Sequence, residues 1–487
     1  MRSPRRFGRP LVVVLAAAVL AASCGGGDDG ATSPTTGADG EVQLPECPVD
    51  ALDAVTDPVE VVVWHTQTAR PLETLIALVD EYNASQSKVR VRLESQGASY
   101  PEIQRKFNEA LPSKQLPAMV VVDDTFTQSM ADSGVVLPAQ SCFEADGYDL
   151  DQLVETASSY YTIDGVLWPA TAGLGNVLLF YNRDHFRQAG LDPDDPPETL
   201  AEVREMAQAI KAAGVADAPF VHEFSSWKTE FWLTGAGSSV VDNDNGRGSD
   251  DTTAGTLTDN PEALELFTWF EQMQADGLLN AVPATPGQID QYLAIANESS
   301  SILIDSSSSA TSIEAFLGGQ EVTGVEGAPS PSGLDLGVGT FPGLTGPGRT
   351  QMGGDAWYLM STTPDEVQAG AWDFMRFMNS THAQAQNLLG GSYMPWLAAA
   401  NADPAVAAYY AGESGIAGAW LKLANDLVGA IDPDFPGPLI GPYDEFREAI
   451  QKAQDGLVFG DSSPEEALAE AQAAVDAALE RYNEGSF

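Results

Sequence analysis

The apolar and polar positions of the chain follow two periods in turn, which predicts alternating strands and helices. Strands are predicted where apolar residues form short runs or alternate with polar ones, at 59–64, 89–93, 118–122, 176–181, 301–305, 336–341 and 356–360. Helices are predicted where apolar residues recur every three to four positions, with start signals at Thr199, Asn260, Thr363 and Ser463. This alternation indicates an α/β fold with mainly parallel sheets.

The first residues have the parts of an export signal. Several arginines precede the apolar run 11–22, which is too short to span a bilayer as a mature helix. The small residues directly before Cys24 resemble the lipobox of bacterial lipoproteins, whose cysteine carries the lipid. We therefore expect a signal peptide over 1–23, lipidation at Cys24 and a flexible tether over 24–47, with the protein anchored to the outer face of the bacterial membrane. An ordinary signal peptide with an incidental cysteine is the alternative, and the sequence leaves open whether export is Sec-dependent or twin-arginine.

Composition excludes several classes of partner. The 487 residues include 23 Lys and Arg against 70 Asp and Glu, a formal net charge of −47. Phosphate binding needs clustered cations, so this charge argues against a nucleic-acid partner and against electrostatic binding to an anionic bilayer. Apolar residues make up 44% of the chain, which is enough for a large core, and the length predicts two to four domains.

The cysteines and histidines point to a disulfide and not to a metal site. The positions of three cysteines and four histidines do not allow a zinc site, and no metal or cofactor is expected. An exported chain folds in an oxidising compartment, so Cys47 and Cys142 are expected to form a disulfide bond.

Motifs for catalysis are missing from the sequence. Neither a GxSxG elbow nor a Walker A pattern occurs, and His222-Glu223 lacks the second histidine of a zinc protease motif. The acidic segment 242–246 does not fit the register of a calcium loop. Tryptophans near predicted strand ends, among them Trp64, Trp227 and Trp357, suit sugar rings, although a single tryptophan is more often part of a core.

Four segments in order carry a family resemblance. Residues 61–65 end a strand in Trp-His, 180–191 read FYNRDHFRQAGL, 352–357 read MGGDAW, and 391–395 read GSYMP. The chain thereby resembles the extracellular solute-binding proteins of ABC importers, in the family-1 group that includes the maltose- and glycerol-3-phosphate-binding proteins.

The resemblance implies an α/β, two-lobed, periplasmic-binding-protein-like (type II) fold with discontinuous lobes and a hinge. The first lobe is expected to hold residues 48–170 and 307–361, and the second 171–306 and 362–487. A solute in the cleft would bridge both lobes and shift the chain to its closed form. The implied partners are a small-molecule sugar, the transmembrane subunits of an ABC permease and the membrane that holds the lipid anchor. We expect a monomer without enzymatic activity.

The family's ligand contacts, together with neighbouring strand-end positions, give a set of candidate residues. These are Trp64, His65, Tyr100, Asp123, Asp124, Trp227, Asp305, Ser307, Ser308, Gly353, Gly354, Asp355, Trp357 and Tyr393. Aromatic rings would stack on the ligand, and carboxylates and hydroxyls would bond to it. The glycine pair would let the ligand approach the backbone. For each residue, a purely structural role is the alternative.

Two departures from the family pattern bear on the ligand. Leu439 stands where the glycerol-3-phosphate subgroup has an arginine, and residues 173–176 replace a serine-containing segment. A buried anion needs a paired cation, and the cleft is expected to be rich in carboxylates. We therefore expect a neutral mono- or oligosaccharide. The alternatives are glycerol 3-phosphate or a glycerophosphodiester and, in another class, an exported protein that binds cell-wall glycan or acts on carbohydrate without a role in transport.

Overall fold

A computed structural model of the chain describes residues 34–36, 42–322, 333–344 and 346–485. The expected signal peptide and Cys24 lie outside these residues. Part of the expected tether is ordered, because β1 (Thr35–Thr36) pairs with β2 (Val42–Gln43) and Cys47 is buried. No helix in the described ranges is long and apolar enough to cross a membrane.

Fourteen further strands form two large sheets and one small hairpin. They are β3 (Val59–His65), β4 (Val89–Ser95), β5 (Met119–Asp123), β6 (Val136–Leu137), β7 (Thr162–Ile163), β8 (Val166–Leu167), β9 (Thr171–Gly175), β10 (Val177–Asn182), β11 (Phe220–Phe224), β12 (Leu279–Pro283), β13 (Ile302–Ser306), β14 (Leu336–Gly339), β15 (Gly353–Met360) and β16 (Met394–Pro395). The first sheet has the order β16-β9-β15-β5-β3-β4, with β6 beside β15, and the second sheet has the order β12-β11-β13-β10-β14.

Both sheets combine parallel and antiparallel pairs. β3 is parallel to β4 and β5, and β11 is parallel to β12 and β13. β15 and β9 are antiparallel to their neighbours in the first sheet, as β10 is in the second. The prediction of mainly parallel sheets is therefore wrong. The chain passes between the two sheets through β9, β10, β14, β15 and β16, and these strands form antiparallel pairs.

Helices cover the sheets. Their bounds are Ala69–Ser85, Tyr100–Ala110, Thr127–Asp132, Ala139–Ala145, Glu155–Tyr160, Arg183–Ala189, Leu200–Ala212, Trp227–Gly235, Pro261–Ala275, Asp290–Ala296, Ala310–Leu317, Asp365–Met378, Thr381–Gly391, Ala398–Asn401, Pro404–Tyr410, Ala417–Gly429, Tyr443–Val458 and Pro464–Asn483. Thr199 and Ser463 form capping boxes with the glutamates three residues later, as their spacing predicts. Residues 242–245 form a turn with left-handed backbone at three consecutive positions.

Strand pairing divides the chain differently from the expected lobe boundaries. β14 pairs with β10 in the second sheet, although 307–361 was expected in the first lobe. β9 and β16 belong to the first sheet, although both were expected in the second lobe. The helix Asp365–Met378 also packs on the first sheet, since Gly370 lies against Val59 and Val61 of β3 and Val89 of β4. We propose that the chain passes from the first lobe to the second at Asn176. It then returns to the first lobe between β14 and β15, and it enters the second lobe again after β16.

The expected disulfide is present in the structure. It joins Cys47 to Cys142, and both residues are buried. The bond ties the segment before β3 to the helix Ala139–Ala145 on the first sheet.

Candidate ligand-binding cleft

A cavity of about 550 Å³ lies where strands of the two sheets end or begin. Asp123 ends β5, Ser306 ends β13 and Gly353 begins β15, and all three residues line the cavity. Ligands of α/β proteins bind in this position, outside the carboxyl ends of parallel strands.

On the side of the first sheet, a hydrogen-bonded chain supports two tyrosines of the cavity wall. The Tyr100 and Tyr393 hydroxyls lie 3.3 Å apart, and Tyr393 donates to Gln67 Oε1 at 3.2 Å. Gln67 Nε2 donates to Asp355 Oδ2 at 2.6 Å. Burial raises the pKa of both tyrosines, so they remain neutral hydroxyls, and because Tyr393 gives its proton to Gln67, its oxygen is left as an acceptor.

Asp355 lies behind this wall and outside the cavity lining. Its Oδ1 accepts from the Gly173 backbone N–H at 3.0 Å and from Trp357 Nε1 at 3.2 Å. Burial raises the pKa of Asp355 to about 7, against these hydrogen bonds, which lower it. Asp355 and Trp357 therefore position the wall rather than form it.

Asp123 and Asp124 both line the cavity beside a 3₁₀ turn. Asp123 Oδ1 accepts from Thr125 N–H at 3.2 Å and from its hydroxyl at 2.6 Å, which caps the turn. Asp124 Oδ2 accepts from the Tyr160 hydroxyl at 2.8 Å. Burial, followed by the charge of Asp123, raises the pKa of Asp124 well above its ordinary value. Asp124 is thus a carboxyl that tends to hold its proton, next to an aspartate whose Oδ1 caps the turn.

Arg447 pairs with Asp123 across the cleft. Its Nη1 lies 3.0 Å from Asp123 Oδ1, while Nε and Nη2 donate to the two oxygens of Glu230 at 2.8 and 3.2 Å. Burial opposes the arginine's charge, but Asp123 and Glu230 raise the pKa of Arg447 well above its ordinary value. Arg447 is the only cation that lines the cavity among the residues described.

On the side of the second sheet, aromatic rings and a second ion cluster form the wall. Trp227 is half-buried and packs edge-on against Phe231, with ring centroids 5.6 Å apart. The fully buried Lys228 lies behind it, with Nζ 2.9 Å from Glu223 and 3.8 Å from Asp305. Burial lowers the pKa of Lys228, but the two carboxylates outweigh this and raise it. This cation is already paired with two acids of the wall.

The serine segment after β13 divides into cavity-facing and buried residues. Ser308 lines the cavity and donates its N–H to Ser306 Oγ at 3.2 Å, so Ser306 caps the turn. Ser307 is buried outside the cavity, where its hydroxyl accepts from Asn176 N–H at 3.0 Å. Only Ser308 of the two predicted serines is therefore placed to meet a ligand.

The structure brings together most of the predicted site. The predicted residues that line the cavity are Tyr100, Asp123, Asp124, Trp227, Asp305, Ser308, Gly353, Gly354 and Tyr393. The others lie outside its lining and are Trp64, His65, Ser307, Asp355 and Trp357. Trp64 Nε1 donates to Glu94 at 2.9 Å, and His65 Nδ1 accepts from Gln67 N–H at 3.2 Å. His65 therefore supports Gln67 of the cavity wall, whereas Trp64 is bonded to a residue outside the lining.

Sequence reasoning missed Arg447, a cation in a cleft that was expected to be rich in carboxylates. Arg447 lies in the helix Tyr443–Val458 on the same face as the buried Tyr443, Phe446 and Ile450. An arginine at a buried position of an amphipathic helix needs a charged partner, and this was the signal available. Carboxyl groups still outnumber cations in the lining, with Asp123, Asp124, Glu223 and Asp305 beside the single Arg447. In the described ranges, no group of three or more His, Cys, Asp or Glu side chains is placed to hold a metal ion.

Comparisons with known proteins agree with this architecture. The model of a bacterial extracellular solute-binding protein family matches residues 77–412. The sn-glycerol-3-phosphate-binding periplasmic protein UgpB of Rhizobium meliloti (strain 1021) is 26% identical over 427 residues, which cover 86% of this chain and 92% of the relative. The protein of the same name from Brucella abortus (strain 2308) is 28% identical over 358 residues, which cover 72% of this chain and 78% of the relative.

Solved structures share the two-lobed fold. The GacH receptor of Streptomyces glaucescens GLA.O, solved unliganded and with acarbose, matches with a TM-score of 0.69 and 18% identity, covering 87% of this chain and 99% of that one. UgpB from Mycobacterium tuberculosis in complex with glycerophosphocholine matches with a TM-score of 0.69 and 18% identity, covering 88% of this chain and 100% of that one. At these identities the likeness establishes the fold and leaves the ligand open.

The family match covers more than half of the chain, and it agrees with the two-lobed fold and the interlobe cavity. Members of the family are substrate-binding proteins of ABC importers and not enzymes, and they act outside the cytoplasm. The chain therefore belongs to the bacterial extracellular solute-binding proteins.

Proposed function

We propose that the chain is the substrate-binding lipoprotein of an ABC importer and captures a neutral carbohydrate in the interlobe cavity. The observation that carries this proposal is the combination of a half-buried Trp227 with a carboxylate-rich wall whose cations are already paired. The anchor would be Cys24, and the chain would deliver its solute as a monomer to the permease.

The charge distribution favours a neutral ligand over an anion. Arg447 is shared by Asp123 and Glu230, and Lys228 is shared by Glu223 and Asp305. A phosphate in the cavity would meet carboxylates without an unpaired cation, and burying an uncompensated charge is costly. Sugar hydroxyls instead donate to carboxylate and tyrosine oxygens.

The aromatic wall favours a ring-shaped ligand with apolar faces. Trp227, Phe231 and Tyr292 line one side of the cavity, and Tyr100 and Tyr393 line the other. The C–H faces of a sugar ring stack on such surfaces while its hydroxyls point to polar groups at the edge. A cavity of about 550 Å³ lies in the usual size range of small-molecule sites.

Glycerol 3-phosphate or a glycerophosphodiester remains the second candidate. One feature of the cavity favours it, because Arg447 brings a guanidinium to the wall although Leu439 stands where the glycerol-3-phosphate subgroup has an arginine. The relatives from Rhizobium meliloti and Brucella abortus point the same way, since they are sn-glycerol-3-phosphate-binding proteins. The two candidates differ in whether Arg447 can leave its carboxylates for a phosphate.

Isothermal titration calorimetry with maltose, trehalose, raffinose, sn-glycerol 3-phosphate and glycerophosphocholine tests the proposal. We expect at least one sugar to bind and both phosphate esters to bind more weakly or not at all. Trp227→Ala should weaken sugar binding about 10- to 100-fold, since a lost stacking contact and its buried area are worth roughly 1–3 kcal/mol.

Trp64→Ala is the matched control for the loss of a tryptophan. Trp64 is half-buried like Trp227 but lies outside the cavity lining and bonds to Glu94, so its variant should bind the sugar like wild type. Binding of phosphate esters alone would reject the neutral-sugar proposal in favour of the second candidate.

A further inference from the structure

Arg447 connects the two halves of the protein at the edge of the cavity. Its helix, Tyr443–Val458, is attached to the second sheet, where Gln451 Nε2 donates to the Phe224 carbonyl of β11 at 2.7 Å. Its guanidinium reaches Asp123, the last residue of β5 in the first sheet. The ion pair therefore spans the cleft that a ligand has to enter.

The second-sheet end of this link is rigidly held. Glu230 is almost completely buried and receives two parallel donors from Arg447, a forked geometry that fixes the guanidinium plane. The Tyr443 hydroxyl donates to the same carboxylate at 2.9 Å, and its ring lies against the guanidinium at 5.3 Å. Arg447 is thus oriented toward the first sheet before any ligand contact is made.

The first-sheet end is a residue of the cavity wall. Asp123 is fixed by Thr125, lines the cavity, and lies 3.0 Å from Arg447 Nη1. A guanidinium has five N–H donors, of which two are hydrogen-bonded to Glu230, while Nη1 forms the ion pair with Asp123. The remaining donors lie on the two terminal nitrogens, beside the cavity that Arg447 also lines.

We propose that Arg447 is a specificity-determining residue that links ligand recognition to closure of the two lobes through Asp123. This inference rests on the proposed function, because it assumes that a solute binds in this cavity. In the closed form, Arg447 offers N–H donors and Asp123 offers an acceptor oxygen, and both face two neighbouring hydroxyls of the same ligand. When the lobes separate, Arg447 stays paired with Glu230 on its own side, Asp123 loses its cation, and the ligand loses this contact.

The Arg447–Asp123 pair favours closure by a ligand that forms hydrogen bonds with both side chains at the same time. A vicinal pair of hydroxyls can donate to Asp123 and accept from Arg447, whereas a phosphate pairs with the arginine and is repelled by the aspartate. A ligand that reaches only one lobe gains nothing from closure. Arg447 therefore contributes to the choice of solute as well as to the stability of the closed form.

Small-angle X-ray scattering and calorimetry on four proteins test this inference. They are wild type, Asp123→Asn, Arg447→Gln and the control Lys452→Gln, which removes an exposed cation from the same helix. Each is measured without ligand and with maltose, and with sn-glycerol 3-phosphate as the anionic probe. Asp123→Asn retains the Arg447–Glu230 pair inside one lobe, so it keeps the test valid if Arg447→Gln fails to fold.

We expect one of two results for Asp123→Asn and Arg447→Gln. Either the radius of gyration without ligand is larger than that of wild type, or at least tenfold more maltose is needed for the same decrease in the radius of gyration. The double variant Asp123→Asn/Arg447→Gln, measured as a fifth protein, should be no worse than either single variant, because both substitutions remove the same interaction. Lys452→Gln should behave like wild type. A merely structural role for Arg447 would lower the melting temperature without changing the scattering of the folded protein.

Identical scattering and identical probe affinities for wild type and both variants would overturn the inference. The proposed function fails by a different result, namely that wild type binds no sugar of the panel. The two failures are distinguishable because the radius of gyration is also compared in the absence of any ligand.

Discussion

Gly354→Ala is expected to destabilise the folded chain by about 3–5 kcal/mol or to prevent folding. Gly354 has φ of +126°, which L-residues rarely adopt, and an added Cβ would lie 2.0 Å from the Gly173 carbonyl oxygen and 2.8 Å from Gly175 N. Both atoms belong to β9, the neighbouring strand, so they cannot retreat without breaking the pairing with β15. Backbone strain and overpacking of this kind cost roughly 1–3 kcal/mol each. Urea unfolding followed by circular dichroism measures the loss.

Gly353→Ala provides the matched control at the preceding position. Its added Cβ would meet the Phe231 ring edge at 3.0 Å and the Gly175 carbonyl at 3.4 Å, and its φ is not positive. The ring can shift, so we expect a loss of about 1 kcal/mol or less. Equal destabilisation by the two variants would contradict the account. The expected difference also revises the role of Gly354, whose missing side chain makes room for β9 rather than for a ligand.

Removal of the disulfide by Cys47→Ala with Cys142→Ala is expected to lower the free energy of unfolding by about 4–5 kcal/mol. The cysteines are 95 residues apart, and cross-linking a loop of that length restricts the unfolded chain by this amount in the chain-entropy model. The bond also holds the segment before β3 against the helix Ala139–Ala145. Urea unfolding of the variant and of wild type under non-reducing conditions measures the difference.

Cys24→Ala is the control for the loss of a cysteine, and it should leave the free energy of unfolding unchanged. Alkylation without reductant gives an independent check by mass spectrometry. Modification of Cys47 and Cys142 in the folded wild type would show two free thiols and would contradict the pairing.

Strong local signals made much of the fold predictable from sequence. The apolar runs at β3, β5 and β10 are buried at most positions in the structure, and the capping boxes at Thr199 and Ser463 begin helices as expected. β9 and β16 were missed because TAGLG and MP carry little strand propensity and are fixed by pairing with β15 and with each other. Lobe membership depends on that pairing, which no local pattern encodes.

The residues that contact the cavity were only partly predictable from sequence, because their roles also depend on contacts between distant segments. The order of the family's motifs along the chain identified Tyr100, Trp227 and Tyr393, which line the cavity wall. They did not separate Asp355, which holds Gln67 from behind, from Asp123, which lines the cavity. Arg447 was missed because its partners Asp123 and Glu230 are more than 200 residues away in sequence.

The central claim is that a neutral sugar occupies the cavity between the sheets. The most direct measurement is a crystal structure of the chain with the panel sugar that binds most tightly. The account predicts a sugar ring stacked on Trp227 with hydroxyls within hydrogen-bond distance of Asp123 and Asp305. A ligand bound outside this cavity, or a ring that does not contact Trp227, would contradict it.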